Sequence, residues 1–234
     1  VENLKRKIMR RATLLQIGGF RSSGEPTNSI FGQVNLSLPN EEWPYSNNKP
    51  MIPLCQINIL QLPYVPDLLK DIEMITLFID SDELPNNNPN GQKWCLRTYN
   101  CIKDLVPIHS VPYESKIKVF EMKPTLIEED YPCWDDFVEE LDKENISITE
   151  EVNDFYDNHL NNISGFKIGG WPTTIQSEIY WAPYNQHPAN PQFVFQIDSI
   201  ERGNWFWGDS GVGYIGRGTT NGRFNEWVIE WQCF

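Results

Sequence analysis

Phe193-Val194-Phe195-Gln196-Ile197-Asp198 is a short, nearly continuous apolar run with one glutamine set into it. Its length and pattern predict a buried strand, and the glutamine must find hydrogen bonds inside it. The first half of the chain carries the same order in Pro53-Leu54-Cys55-Gln56-Ile57-Asn58, within the apolar run Met51 to Leu60. Each run is preceded by paired glycines after an isoleucine, Ile17-Gly18-Gly19-Phe20 and Ile168-Gly169-Gly170-Trp171. Paired glycines there mark backbone that must turn or be approached closely. Each run is followed by another strand, Ile75 to Ile79 in the first half and the region of Gly213 to Ile215 in the second. A repeated bend–strand–strand order predicts an internal duplication with two similar sheet-forming halves.

Outward from these strands, the pattern predicts an α+β protein that is strand-rich and carries an acidic helical insertion. Residues 2–15 read as an amphipathic helix, with Leu4, Ile8, Ala12 and Leu15 recurring at three- and four-residue steps. Ser22 to Pro53 is rich in Pro, Asn, Ser and Gly and reads as a long loop anchored by Trp43-Pro44-Tyr45. Further strands are expected at Met74 to Ile79, Lys93 to Tyr99, Lys116 to Phe120 and the terminal Glu226 to Phe234. Two helices are expected between them. One follows Pro132 with Trp134, Phe137, Val138 and Leu141 as its apolar stripe; the other is capped by Ser147 and Glu150, with Val152, Phe155, Tyr156, His159 and Leu160 on one face. Residues 1–80 form the first half with its N-terminal helix, 81–164 the strands and acidic helices, and 165–234 the second half, packed as one compact domain.

Composition narrows the function classes. The 234 residues are 40% hydrophobic and 13% aromatic, a globular balance. No apolar run approaches the ~20 residues that span a bilayer, so no membrane partner is expected. Five cysteines without a C-x-x-C pair suit reduced thiols and a cytoplasmic location over a disulfide framework. The formal net charge is −13, and residues 121–160 concentrate it, with fourteen Asp or Glu against two Lys. Such a surface repels nucleic acid and attracts a basic partner.

Two motifs fail for want of context. Gly208-Asp209-Ser210-Gly211 resembles a serine-protease nucleophile loop, but that chemistry needs a histidine base, and His109, His159 and His187 stand in unsuitable places. Gly211-Val212-Gly213-Tyr214-Ile215-Gly216 fits G-x-G-x-x-G, yet Arg217-Gly218-Thr219-Thr220-Asn221-Gly222 follows where a helix must open to hold a pyrophosphate. No thiol pair or calcium loop is spaced for a metal, so no metal, cofactor or catalytic residue is assigned. The ligand-binding candidates are the aromatic loop Trp205, Trp207, Asp209 and Tyr214, with the polar intrusions Gln56 and Gln196. The partner-binding candidates are Glu128, Glu129, Asp130, Asp135, Asp136, Glu139 and Glu140, expected on wet faces.

Several pieces also stand in the order of a known family: Gly18-Gly19, Trp43-Pro44, Pro53 to Asn58, Ile168-Gly169-Gly170, Gln196-Ile197-Asp198, Trp207 to Gly213 and Trp231-Gln232-Cys233-Phe234. In these the chain resembles the YwqG family, a bacterial domain of unknown function. The resemblance implies a strand-rich α+β fold of duplicated character and a soluble cytoplasmic protein, and brings no catalytic residues with it. Related domains look associated with toxin–immunity gene clusters, which implies a binding role. The expected function is therefore a non-catalytic, immunity-type or regulatory binding protein that meets a basic protein surface. The alternative is a small-ligand binder or enzyme using a cleft between the halves.

Overall fold

The computed structural model describes residues 2–177, 179, 181, 187–219 and 222–234. Ten strands form one antiparallel sheet: β1 (Arg10–Ile17), β2 (Ile30–Phe31), β3 (Ile52–Asn58), β4 (Met74–Ile79), β5 (Trp94–Tyr99), β6 (Phe120–Asp130), β7 (Lys167–Gly169), β8 (Pro191–Asp198), β9 (Val212–Gly218) and β10 (Trp227–Gln232). Their order across the sheet is β10-β9-β8-β7-β1-β6-β2-β3-β4-β5. Helices are few: α1 (Glu2–Ile8) before β1, and α2 (Trp134–Lys143) and α3 (Glu150–His159) between β6 and β7.

The order reads alike from both ends. Each half runs a long strand, a short strand and a three-strand meander, β1 to β5 and β6 to β10. The two long strands are exchanged: β1 pairs with β7, β6 pairs with β2, and the two pair with each other at the centre. The meanders agree in register. A bulge falls between Pro53 and Cys55 in β3 and between Phe193 and Phe195 in β8, and Gln56 faces Thr76 as Gln196 faces Tyr214. The extra residue, Leu54 or Val194, stands two before the glutamine in each, where a bulge bends the strand.

The sheet curls until its ends share one core. Trp94 of β5 and Trp227 and Ile229 of β10 belong to the same buried cluster as Leu54, Ile57, Phe195 and Ile197. Side-chain ties stand in for strand pairing at the closure. Trp231 donates from Nε1 to the carbonyl of Pro85 at 2.7 Å, and Arg217 grips Asp71 with two bonds of 2.7 and 2.8 Å. A second cluster on the outside holds the helices: Leu4, Ile8, Phe137, Leu141 and Val152 pack with Tyr131 and Trp171.

This architecture overturns the α+β expectation. Among the described residues the chain forms a near-barrel of ten antiparallel strands, with three α-helices on its exterior. Two misread stretches explain the error. Residues 2–15 are not one helix; the helix stops at Ile8 and β1 starts at Arg10. Helix propensity is a weak preference, and β1 gains partners on both sides, β6 and β7, that a helix there would forfeit. The strand expected at Lys116 to Phe120 instead starts at Phe120 and runs eleven residues to Asp130, since β6 finds partners in β1 and β2 along its length. The glycine pairs also fall differently. Gly18 and Gly19 end β1, whereas Gly169 ends β7, whose counterpart is β2; Gly32, at φ +78°, follows β2 as Gly169, at φ +74°, ends β7. The cap of α3 is Thr149, which accepts from the Val152 amide at 3.3 Å, not Ser147.

Candidate binding pocket at the foot of α2

Helix α2 starts beside the end of β6, and its first turn carries Asp135 and Asp136, where carboxylates suit the helix dipole. Phe137 and Leu141, four residues apart, face the helix cluster and fix the rotation of α2. That rotation sets Asp136, Glu139 and Glu140 along one side, toward the sheet. Opposite them, Arg10 opens β1 with its guanidinium 3.3 Å from the Trp171 ring centroid and a 3.5 Å bond to the Gly170 carbonyl. Between these walls lies a cavity of about 380 Å³, lined also by Lys143, Pro172, Pro191, Gln192 and Phe193.

Trp171 is held from three sides. Its indole N–H donates to the Ile8 carbonyl at 2.7 Å, its backbone N–H donates to Asp130 Oδ2 at 2.7 Å, and Arg10 covers its face. Asp130 in turn pairs with Lys167 at 2.8 Å, both side chains wholly buried, and accepts from the Ile163 amide at 2.8 Å. A Cβ on Gly170 would collide with the Asp130 carboxylate, and its φ of +69° also demands glycine. The bend that the paired glycines announce is therefore a mount for Trp171. Burial lowers the Lys167 pKa, while the neighbouring Asp130 carboxylate opposes that shift.

Asp136 is the unusual member. It is 8% exposed, and its Oδ2 has no hydrogen-bond partner among the described residues. Loss of solvent, reinforced by the nearby Glu139, pushes its pKa up to about 7, against the pull of Arg10. An ionised carboxylate without a matching donor is costly to bury, and such groups concentrate at functional sites.

The acidic candidates divide among three environments. Asp130 is interior, Asp136 is buried at the pocket rather than on a wet face, and Glu139 and Glu140 are half-buried beside it. Glu128, Glu129 and Asp135 are exposed; Glu128 pairs with Arg11 at 3.0 Å and Glu129 accepts from the Tyr131 hydroxyl at 2.9 Å. His159, expected on the apolar face of α3, is exposed and leans on the Phe155 ring at 5.1 Å.

The aromatic loop is not brought together as a site. Trp205 and Trp207 are buried in the main core, edge to face at 5.0 Å, and Gly213 passes against the Trp207 ring. Tyr214 lies on the other face of β9, where its hydroxyl donates to the Thr173 carbonyl at 2.8 Å. Asp209 is exposed at a turn. The halves meet in the hydrogen-bonded pair β1–β6. Gln56 and Gln196 are splints for the segments that leave β2 and β7. Gln56 Oε1 accepts from the amides of Asn35 and Leu36 at 2.9 and 3.2 Å, and its Nε2 donates to the carbonyls of Pro26 and Asn28. Gln196 Oε1 accepts from the Thr173 amide at 2.7 Å, and its Nε2 donates to the Gly165 carbonyl and Asp198.

Sequence reasoning missed Arg10, Trp171 and Phe193 as pocket residues, having placed Arg10 on a helix and Trp171 at a bend. The tryptophan beside a glycine pair was the available signal. No group of His, Cys, Asp and Glu suited to hold a metal ion occurs among the described residues, and no helix among them is long and apolar enough to cross a membrane.

Comparison with known proteins adds a family and no activity. The family model described as a domain of unknown function (DUF1963) matches residues 30–233. No curated protein matches the chain.

Proposed function

The chain belongs to the DUF1963 family, a domain of unknown function, and from that premise we propose that it is a non-catalytic binding protein that meets a basic protein surface through α2 and α3. One observation carries the reading: Asp135, Asp142, Glu150, Glu151, Asp154 and Asp157 on these helices and their connection are exposed and form no ion pair among the described residues. Carboxylates without counter-charges repel one another, and a cationic partner relieves that repulsion. The surrounding ties are local: Lys7 binds Glu144 at 2.8 Å and Lys143 binds Glu140 at 2.7 Å, which anchors the layer without neutralising it.

The closer kinship with the YwqG family and a cytoplasmic location belong to the same proposal, supported by the order of the shared motifs and by cysteines spaced for neither disulfides nor zinc. The test is capture of a partner from the native cells on the immobilised chain, repeated as salt is raised. Capture should weaken steeply with ionic strength, and should fail when Glu150, Glu151, Asp154 and Asp157 are changed together to their amides. Capture that persists unchanged at high salt would sink the reading.

A further inference from the structure

We propose that the pocket at the foot of α2 receives one cationic side chain, the ammonium of a lysine or the guanidinium of an arginine, from the basic partner. Asp136 is its acceptor. This rests on the reading of the α2–α3 layer as the contact surface and says what the centre of that contact does.

Three features of the pocket carry it. First, Asp136 is 8% exposed and lines the cavity, and its Oδ2 finds no donor among the described residues. A buried carboxylate oxygen without a donor lacks what a ligand N–H would supply. Second, Arg10 does not serve as that donor: its guanidinium lies flat on Trp171 and its bond goes to the Gly170 carbonyl. Third, the cavity, about 380 Å³, is of the size that takes a small group, and its apolar walls Trp171, Pro172 and Phe193 suit the methylene stem of a long cationic side chain.

The sign of the charge follows from the lining. Three carboxylates, Asp136, Glu139 and Glu140, face two cations, Arg10 and Lys143, and Lys143 already binds Glu140 at 2.7 Å. An anion entering here would meet three carboxylates, whereas a cation meets a lining with more negative than positive groups. Capture also competes with a proton, because burial pushes the Asp136 pKa up to about 7. The charged and titratable groups around it are Arg10 from β1, Tyr156 from α3, and Cys133, Asp135, Glu139 and Glu140 on or beside its own helix.

Calorimetric titration of the full chain with methylguanidinium and with n-butylammonium, at low salt and about pH 8, tests the proposal. Saturable binding of at least one probe is expected, weakened about tenfold or more in Asp136→Asn and weakened in the wild type on acidification to about pH 5.5. Asp104→Asn, an exposed carboxylate outside the pocket and outside the α2–α3 surface, should bind within about twofold of wild type. Circular dichroism establishes that both variants are folded. The absence of saturable binding for both probes, or binding unchanged in Asp136→Asn, overturns the proposal. If the probes fail while salt-sensitive partner capture persists, the pocket proposal falls and the surface reading stands. If the probes bind while no salt-sensitive capture exists, the partner's side chain as occupant falls with that reading.

Discussion

Replacing Asp136 by Asn should stabilise the protein, and by an amount that depends on pH in a calculable way. Burial moves this carboxyl from its ordinary 3.8 to about 7 in the folded chain. The acid's folded pKa is raised, so the folded state holds its proton where the unfolded state has released it. Below about pH 4 both states are protonated and the residue costs nothing of this kind. As pH rises from about 4 to 7 only the unfolded state gains by ionising, and the cost grows by about 1.4 kcal/mol per pH unit. Above about pH 7 it levels off near 4 kcal/mol, an upper figure. Asparagine has no such titration. The difference in unfolding free energy between Asp136→Asn and wild type should therefore climb by a few kcal/mol between about pH 4 and pH 8. Urea unfolding of both proteins across that range measures it, and the other acids, common to both, cancel in the difference. A difference that stays flat with pH, or that turns against the asparagine at high pH, would refute the buried, donorless carboxylate. Such a stability gain, accompanied by loss of cation binding, is the usual trade where a group is kept for function.

Three further outcomes follow from the packing. Gln56→Ala leaves the amides of Asn35 and Leu36 without their shared acceptor, and denaturant unfolding should register a loss of about 2–3 kcal/mol; a change below about 0.5 kcal/mol would mean that the segment after β2 does not depend on this splint. Lys167→Met strands the fully buried Asp130 carboxylate and should cost about 3–5 kcal/mol, of which the double variant with Asp130→Asn should recover a part; a double variant no more stable than the single would contradict an ion pair whose members depend on each other. Gly213→Ala drives a methyl into the Trp207 ring and should cost about 1–3 kcal/mol, read as a fall in Tm with tryptophan fluorescence shifted; an unchanged Tm would show that the ring has room to move.

Much of this molecule was legible in its sequence, and the reason is local. Met74 to Ile79 is a strand at the predicted residues, since a short apolar run with no helical stripe suits a buried strand and little else. Gln56 and Gln196 were marked as polar intrusions needing partners, and the structure supplies them, because buried polar groups must be satisfied wherever the fold puts them. The helix pair of α2 and α3 followed from apolar stripes and from the proline before α2, although the cap of α3 is Thr149 and not the Ser147 expected.

What the sequence could not contain was the exchange of partners across the sheet. That β1 joins β7 while β6 joins β2 depends on contacts between residues far apart in the chain, and pairing register carries no local signature. The strand pairings of the tertiary structure turned Arg10 from a helical residue into the first residue of a central strand. They also sealed Trp205 and Trp207 into the core and set Tyr214 on the opposite face of β9, so that the aromatic residues of this loop do not converge. The pocket arises from the same cause. Composition shows an acidic segment, but which of its carboxylates is buried without a donor, across the pocket from Arg10 on Trp171, is decided by how α2 docks against the outside of the sheet. The charges are written in the chain, and their burial belongs to the fold.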